Sequence, residues 1–491
     1  MPAAIVLDRA SSAPLHRQIY DQWRQGVLTG RFRCAERVPS TRELSTALAV
    51  SRSTVTLAYE QLIAEGYLES SRGSGTFVCR ELPEQLLRPN HQQVPRREEA
   101  PPIRLSRYGA GLNDDFAYPR TLPGFIGFTQ WRPDLALFPI AIWRKLVMRR
   151  LRSATPELFD YSDESCGYAP LRNEIAAYVS RSRAVRCTPE QVIVVNGSAQ
   201  GIDLCVRLLL EPGDQVAIEN PGYQGAHRIF AGYGARLRPV RIDENGIVIG
   251  DLSKRLSKSV RLVYVTPSHQ FPTGVAMSLT RRLELIEWSR RHNAVLIEDD
   301  YDSEYRYSGP PLPSLQGLAA GVAVIYIGTF SKVMFPSLRI GYIVAPPNLV
   351  ARVRRAKWLA DRHTPVPDQA ALADFIAEGH LERHIRRMRR IYGGRRDALV
   401  ESLERYFGER VQIRGDAAGM HLLVRFQDDA RIAERAAAAK IQLVSSAASY
   451  LTEPPSGEFI LGFSSISERS IREGIRRLAG STESLTVAVR R

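Results

Sequence analysis

The chain has 491 residues, 44% hydrophobic and 24% charged, which excludes a disordered or fibrous protein and allows two or three domains with full cores. Its formal net charge of +15 permits an acidic partner such as nucleic acid without requiring one. Five cysteines (Cys34, Cys79, Cys166, Cys187 and Cys205) form no C-x-x-C pair, so reduced thiols in a reducing compartment are expected, and folding needs neither disulfide nor metal.

From the N-terminus, "MPAAIVLDRASSAPLHRQ" lacks the basic and then apolar regions of a secretory leader. No run of about eighteen apolar residues follows anywhere. A cytoplasmic protein without a membrane span is the expectation. "PLHRQIYDQWRQGVLTG" spaces Leu15, Ile19, Trp23 and Val27 by four, predicting an amphipathic helix ended by Gly30. In "PSTRELSTALAV", Ser40 and Glu43 form a capping box ahead of Leu44 and Leu48. After a turn at Ala49-Val50, Ser51 caps another helix whose inner face is predicted as Val55, Tyr59, Leu62 and Ile63. Two capped helices across a tight turn, preceded by a third, make a helix-turn-helix. "YLESSRGSGTFV" then alternates about a Gly-rich tip, predicting a two-stranded wing.

In a helix-turn-helix the first residues of the second helix reach base edges. Ser51 opens that helix, and Arg52, Ser53, Thr54 and Thr56 are the base-reading candidates. Thr41 and Arg42 suit phosphate contacts, and Arg72, Gly73 and Gly75 suit phosphate or minor groove. The competing reading is a helical interaction module that never touches DNA.

Residues 81–120, rich in Pro, Gln and charge, predict a semi-extended linker between a head (1–80) and a body (121–491). In the body, "QVIVVNGS", "RLVYVTPS", "AVLIEDDY" and "VAVIYIGT" read as strands. "AQGIDLCVRLLL" and "TRRLELIEWSRRH" between them read as helices. The alternation predicts a mostly parallel sheet covered on both faces, with ligands beyond its C-terminal strand ends. The block "RHIRRMRRIYGGRR" reads as a solvated helix face.

Unusual residues gather at those strand ends. Asn196-Gly197-Ser198 opens a helix whose amides suit a phosphate. Glu298, Asp299, Asp300 and Asp302 form a carboxylate cluster that reads as a metal site, a solvated loop or a buried acid facing a cationic ring nitrogen. Lys332 is one of six lysines against sixty-one arginines. A desolvated Lys can be neutral and attack a carbonyl, which Arg cannot. Arg339, seven residues on, suits phosphate. Together these groups describe a pyridoxal-phosphate site, with no metal expected.

The body resembles the fold-type I aminotransferases through "GYAPLRNEIAAYV", "NGSAQGIDL", "ENPGY", "VTPSHQFPTG", "IEDDYDSEYRY" and "GTFSKVMFPSLRIGY". The head resembles the GntR-type winged helix-turn-helix. The two in this order resemble the MocR/GabR-type transcriptional regulators. The resemblance implies a winged helix-turn-helix joined to an α/β transferase fold with a smaller α/β subdomain at roughly 375–491. It implies pyridoxal 5'-phosphate linked to Lys332. Asp299 would then face the ring nitrogen, Tyr301 the phenolic oxygen and Tyr223 the ring face. Ser198, Ala199, Ser331 and Arg339 would hold the phosphate, with Thr329 beside them. Further implications are double-stranded promoter DNA, an amine or amino-acid effector or the cofactor itself as signal, and a homodimer. Phe271 stands where many aminotransferases carry Asn. Ile460 stands where several amino-acid-responsive relatives carry a carboxylate-binding Arg, and Arg228 is its possible substitute. These departures favour sensing over turnover; the alternative is an active aminotransferase with a DNA-binding head.

Overall fold

The computed structural model describes residues 5–71, 74–83, 103–112, 120–130, 132–161, 165–256, 260–309, 312–427 and 431–488. Arg72, Gly73 and most of the expected linker lie outside them. Two compact units result, Met1–Arg104 and Leu105–Arg491.

In the first unit, α1 (Leu15–Leu28), α2 (Thr41–Leu48) and α3 (Arg52–Ala64) enclose a core that includes Ile19, Trp23, Val27, Leu44, Val55, Tyr59 and Leu62. The expected caps form. Ser40 Oγ accepts from Glu43 N at 3.2 Å while the Glu43 carboxylate accepts from Ser40 N at 2.8 Å, and Ser51 Oγ accepts from Thr54 N at 3.2 Å. The inner face of α3 differs from expectation at two positions: Ala58 is buried, and Ile63 is 38% exposed. A single face repeats at i, i+3, i+4 and i+7, so Val55 aligns with Ala58, Tyr59 and Leu62; Ile63 lies about 100° past Leu62.

The wing is also larger than expected. β1 (Arg37–Val38) pairs antiparallel with β3 (Gly75–Val78), which pairs antiparallel with β2 (Leu68–Ser71), giving three strands. Two residues of β1 are too few to show the alternation that marks a strand in sequence.

The second unit is built on an eight-stranded sheet. Its strands are β5 (Val192–Val195), β6 (Gln215–Asn220), β7 (Arg236–Asp243), β8 (Gly246–Ile247), β9 (Val260–Val265), β10 (Val295–Asp300), β11 (Val324–Thr329) and β12 (Gly341–Val344). Their order is β5-β12-β11-β10-β9-β6-β7-β8. Strands β11, β10, β9, β6 and β7 run parallel; β12 is antiparallel to both its neighbours, and β8 to β7. Successive side chains enter opposite cores. Val192, Val194, Tyr326 and Tyr342 pack on one face; Ile193, Val195, Ile325, Ile327 and Ile343 pack on the other with Ile202, Leu204 and Val206. That is why these strands read as continuous apolar runs.

Short strands β4 (Ile126–Gly127) and β15 (Ile441–Gln442) pair parallel. A second, antiparallel sheet has the order β13 (Val411–Arg414), β14 (His421–Phe426), β17 (Glu458–Gly462), β16 (Val444–Ser445). The Arg-rich block lies on the helix His380–Phe407. Arg386, Arg387, Arg389 and Arg390 are exposed, while Ile385, Met388 and Tyr392 are buried. Among the described residues no helix is long and apolar enough to cross a membrane.

Replacing Ser40 with Ala removes the acceptor for the Glu43 amide. It is expected to destabilise α2 by about 1 kcal/mol, read as faster amide hydrogen exchange across Thr41–Leu48 with exchange in the second unit unchanged.

Candidate functional site

A cavity of about 410 Å³ opens beyond the C-terminal ends of the parallel strands. All nine cofactor-site candidates line it: Ser198, Ala199, Tyr223, Asp299, Tyr301, Thr329, Ser331, Lys332 and Arg339. They come from separate stretches of chain, and the sheet order brings them together.

One wall begins where β5 ends. Gly197 has φ of +90°, and a Cβ there would lie 2.7 Å from Arg339 Nη2, so both the turn and the close approach need glycine. The helix Ser198–Leu209 then starts with its first amides toward the cavity. Arg339 donates through Nη2 to Asn196 O at 2.7 Å. Asn196 Nδ2 donates to Asp361 Oδ2 at 2.6 Å, and Gln200 Nε2 to the same oxygen at 2.8 Å. Lys357 Nζ reaches Asp361 Oδ1 at 2.6 Å. The guanidinium is thereby fixed beside the helix N-terminus. Ser331 N donates to Thr329 Oγ1 at 3.2 Å, closing this end of the cavity.

At the end of β10 the carboxylate cluster divides into separate pairs. Glu298 is fully buried and accepts from Leu315 N and Gln316 N, each at 3.0 Å. Asp300 accepts from Arg183 Nε at 2.8 Å and from Tyr326 OH at 2.6 Å. Asp302 pairs with His269. All four acids are buried, which removes the solvated-loop reading.

Asp299 alone faces the cavity. Its Oδ2 accepts from Tyr264 OH at 2.6 Å, and its Oδ1 is buried with no hydrogen-bond partner. Burial pushes its carboxyl up to about 7, against the Tyr264 hydrogen bond. A cation placed at Oδ1 would reverse that shift. Lys332 moves the other way. Burial lowers its amine to about 8, opposed by Asp302 and Asp299, which brings a neutral, nucleophilic amine within physiological range. Tyr223 and Tyr301 stand around Phe271, with Leu423 and Ile460 completing the apolar patch. Ile460 and Arg228 both line the cavity.

Several contributors escaped the sequence reading. Tyr264 faces Asp299 from β9. Gln130 and Thr266 line the cavity. Behind Thr266, the buried Glu219 accepts from Thr266 Oγ1 at 2.6 Å and from Gln270 Nε2 at 3.2 Å, and burial raises its carboxyl to about 7. Only the inward parity of Tyr264 in "RLVYVTPS" carried a signal.

In the first unit, Arg42, Ser51, Arg52 and Ser53 are exposed around the start of α3. Arg52 Nε donates to Thr41 Oγ1 at 3.3 Å. Ser51 Oγ lies 2.7 Å from Thr54 Oγ1, and Thr56 Oγ1 donates to Arg52 O at 3.0 Å, so both threonines are engaged within their own helix. Gly75 has φ of +111°, and a Cβ there would meet Arg37 Nε at 2.9 Å. Leu57, 54% exposed on α3, is an apolar contact that the polar candidates omitted.

Comparison with known proteins agrees with this division. Residues 15–78 match the family described as bacterial regulatory proteins, gntR family, and residues 136–477 match aminotransferase class I and II. The "Probable rhizopine catabolism regulatory protein MocR" of Rhizobium meliloti is 39% identical over 479 residues, covering 96% of this chain and 95% of that protein. The chain belongs to the MocR-type, GntR-family regulators.

Among other relatives of this MocR-type chain is the pyridoxine biosynthesis transcriptional regulator PdxR of Corynebacterium glutamicum, 33% identical over 86% of this chain and 85% of its own length. Among solved structures, α-aminoadipate aminotransferase LysN from Thermus thermophilus, complexed with N-(5'-phosphopyridoxyl)-L-leucine, aligns with a TM-score of 0.68 at 30% identity over 75% of this chain and 94% of that one. The residues of the MocR-type site fit pyridoxal phosphate. Asp299 Oδ1 lacks a partner that a protonated ring nitrogen would supply, and the helix start beside Arg339 offers donors to a dianion.

Gly197→Ala is expected to unseat Arg339 from Asn196 O and to strain the turn, costing about 1–3 kcal/mol. Thermal denaturation should show the loss, and Arg339→Ala combined with Gly197→Ala should recover the part due to the clash.

Proposed function

We propose that the chain is a pyridoxal-phosphate-dependent transcriptional regulator that acts as a cytoplasmic homodimer. On this reading the head binds promoter DNA, and the aminotransferase-like unit senses an amine, an amino acid or the cofactor itself. The observation that carries it is the convergence of nine candidate residues on one cavity, with Asp299 Oδ1 unpartnered, in a chain that also bears a capped helix-turn-helix.

When bound, the cofactor supplies an electrophilic carbon to which an amine adds. Lys332 provides the attaching Nζ, and its lowered proton affinity keeps a reactive fraction neutral. Asp299 Oδ1 would hold the proton of the ring nitrogen, while Tyr264 orients the carboxylate through Oδ2. Ser198, Ala199, Ser331 and Arg339 bind the phosphate, and Thr329 orients Ser331. Tyr223 would cover the ring face, and Tyr301 would donate to the phenolic oxygen. The Phe271–Ile460–Leu423 patch excludes water where a carboxylate-binding cation would otherwise stand. This favours an effector gripped by its amine over one gripped by two charges. An effector shifts DNA binding only through unequal affinity for two conformations of the chain. Paired half-sites suit a two-fold dimer.

The purified protein is expected to retard DNA from its own upstream region, with the retardation changed by cofactor or effector. Arg52→Ala should weaken binding by about 1–3 kcal/mol. Absence of any shift, with or without cofactor, would remove the regulatory reading. Lys332→Ala should change the visible absorbance of the cofactor-loaded protein to that of the unattached cofactor; an unchanged spectrum would remove the attachment assignment.

Cofactor affinity should also depend on pH. In the cofactor-free site Asp299 sits near 7, and a cation at Oδ1 would lower that value. Binding is therefore strongest where the carboxylate is already ionised, above about pH 7. It weakens as pH falls through 7, by up to about tenfold per unit. Asp299→Asn should flatten this dependence in a titration of cofactor affinity between pH 6 and 8.

A further inference from the structure

His269 lies behind Tyr301, outside every role assigned above. Its ring and the Asp302 carboxylate are each 1% exposed. Nδ1 is 3.0 Å from Asp302 Oδ1 and 3.1 Å from Oδ2, and the Tyr301 hydroxyl is 3.1 Å from the same nitrogen. A carboxylate only accepts, so Nδ1 carries the proton. A protonated nitrogen cannot accept, so the Tyr301 oxygen shares that single hydrogen with Asp302 and must send its own hydrogen elsewhere. Burial and the charges of Asp302 and Asp299 hold the Tyr301 phenol well above its usual range, so it keeps its proton. The hydroxyl has one free direction for donation, and Tyr301 itself lines the cavity.

The imidazole seat is built for this ring. A Cβ on Gly419 would lie 1.9 Å from Cε1 and 2.3 Å from Nδ1, and a Cβ on Gly274 would lie 3.0 Å from Nε2. Gly419 also has φ of +78°, so glycine is required twice over there. His421 closes another side, its ring centroid 4.9 Å from that of His269. Nε2 is buried with no partner. That orphaned atom is a cost the fold tolerates to keep Nδ1 between Asp302 and Tyr301.

We infer that His269, oriented by Asp302, is a positioning residue that fixes the Tyr301 hydroxyl as a hydrogen-bond donor into the cavity and so tunes the proton affinity of Lys332 Nζ in the cofactor-loaded protein. The inference rests on the cofactor reading above. A hydrogen bond accepted by the Tyr301 oxygen makes its O–H a stronger donor. Without it, Tyr301 draws less charge from the cofactor's phenolic oxygen, and that oxygen holds the neighbouring proton on Nζ more tightly.

The test is a pH titration of the visible absorbance of the full-length, cofactor-loaded protein. His269→Leu is expected to move the midpoint upward by about one pH unit, roughly tenfold in proton affinity. His269→Asn, whose amide N–H can stand near the position of Nδ1, should return the midpoint to within about a third of that shift. If His269→Leu does not fold, His269→Phe, which also lacks the N–H, and His269→Asn decide the matter against wild type. Folding is checked by near-ultraviolet circular dichroism. A merely structural role would change melting temperature and leave every midpoint in place, and that result overturns the inference alone. A wild-type protein with no visible band under saturating pyridoxal phosphate overturns the cofactor reading and this inference with it.

Discussion

One carboxylate oxygen organises the second unit. Asp299 Oδ1 sits at the end of a strand covered on both faces, buried, with no donor offered among the described residues. Leaving such an atom unpaired is costly, and the neighbouring acids each find a partner for at least one oxygen. Tyr264 satisfies the other oxygen, Arg183 and Tyr326 take Asp300, backbone amides take Glu298, and His269 takes Asp302. Four neighbouring acids can be buried together because each points to a different partner. Of these acids Asp299 is the one that lines the cavity, which is where a cationic ligand atom gains most from the low dielectric.

The same economy runs along the cavity's other wall. Asp361 accepts from Asn196, Gln200 and Lys357, and Asn196 in turn accepts from Arg339. The permanent cation is therefore tied to the helix start, and its charge adds to the lowering of the Lys332 proton affinity. The lysine meanwhile loses proton affinity through burial. An Arg at position 332 would keep its charge regardless of burial, and a Lys at 339 would lose the planar donor fork. The division of labour between the two residue types follows from their chemistry.

Much of this was legible along the chain. Capping residues Ser40 and Ser51 announce two helices because a side-chain acceptor ahead of an apolar stripe has few other uses. The strands read as unbroken apolar runs because both faces are buried. The site residues were legible as types: a lysine where the chain otherwise uses arginine, acids at a strand end, a glycine before a helix. Short or irregular features were not legible. Strand β1 has two residues, and Ile63 and Ala58 differ in burial only through helical phase.

By itself, then, the sequence determined the two units, their order and the chemistry each could host, since caps, periodicity and residue type are local properties. Tertiary structure alone decided which acid would turn an unpaired oxygen to the cavity. Asp299, Asp300 and Asp302 are equivalent in composition, and only the arrangement of Tyr264, Arg183 and His269, distant in sequence, distinguishes them. The same holds for His269 behind Tyr301. Its role depends on a 3.1 Å contact and on the absence of a side chain at Gly419, and neither is expressed in local spacing. Electrostatics and close packing act through space, so pairings set by folding over long separations stay invisible until the chain is folded.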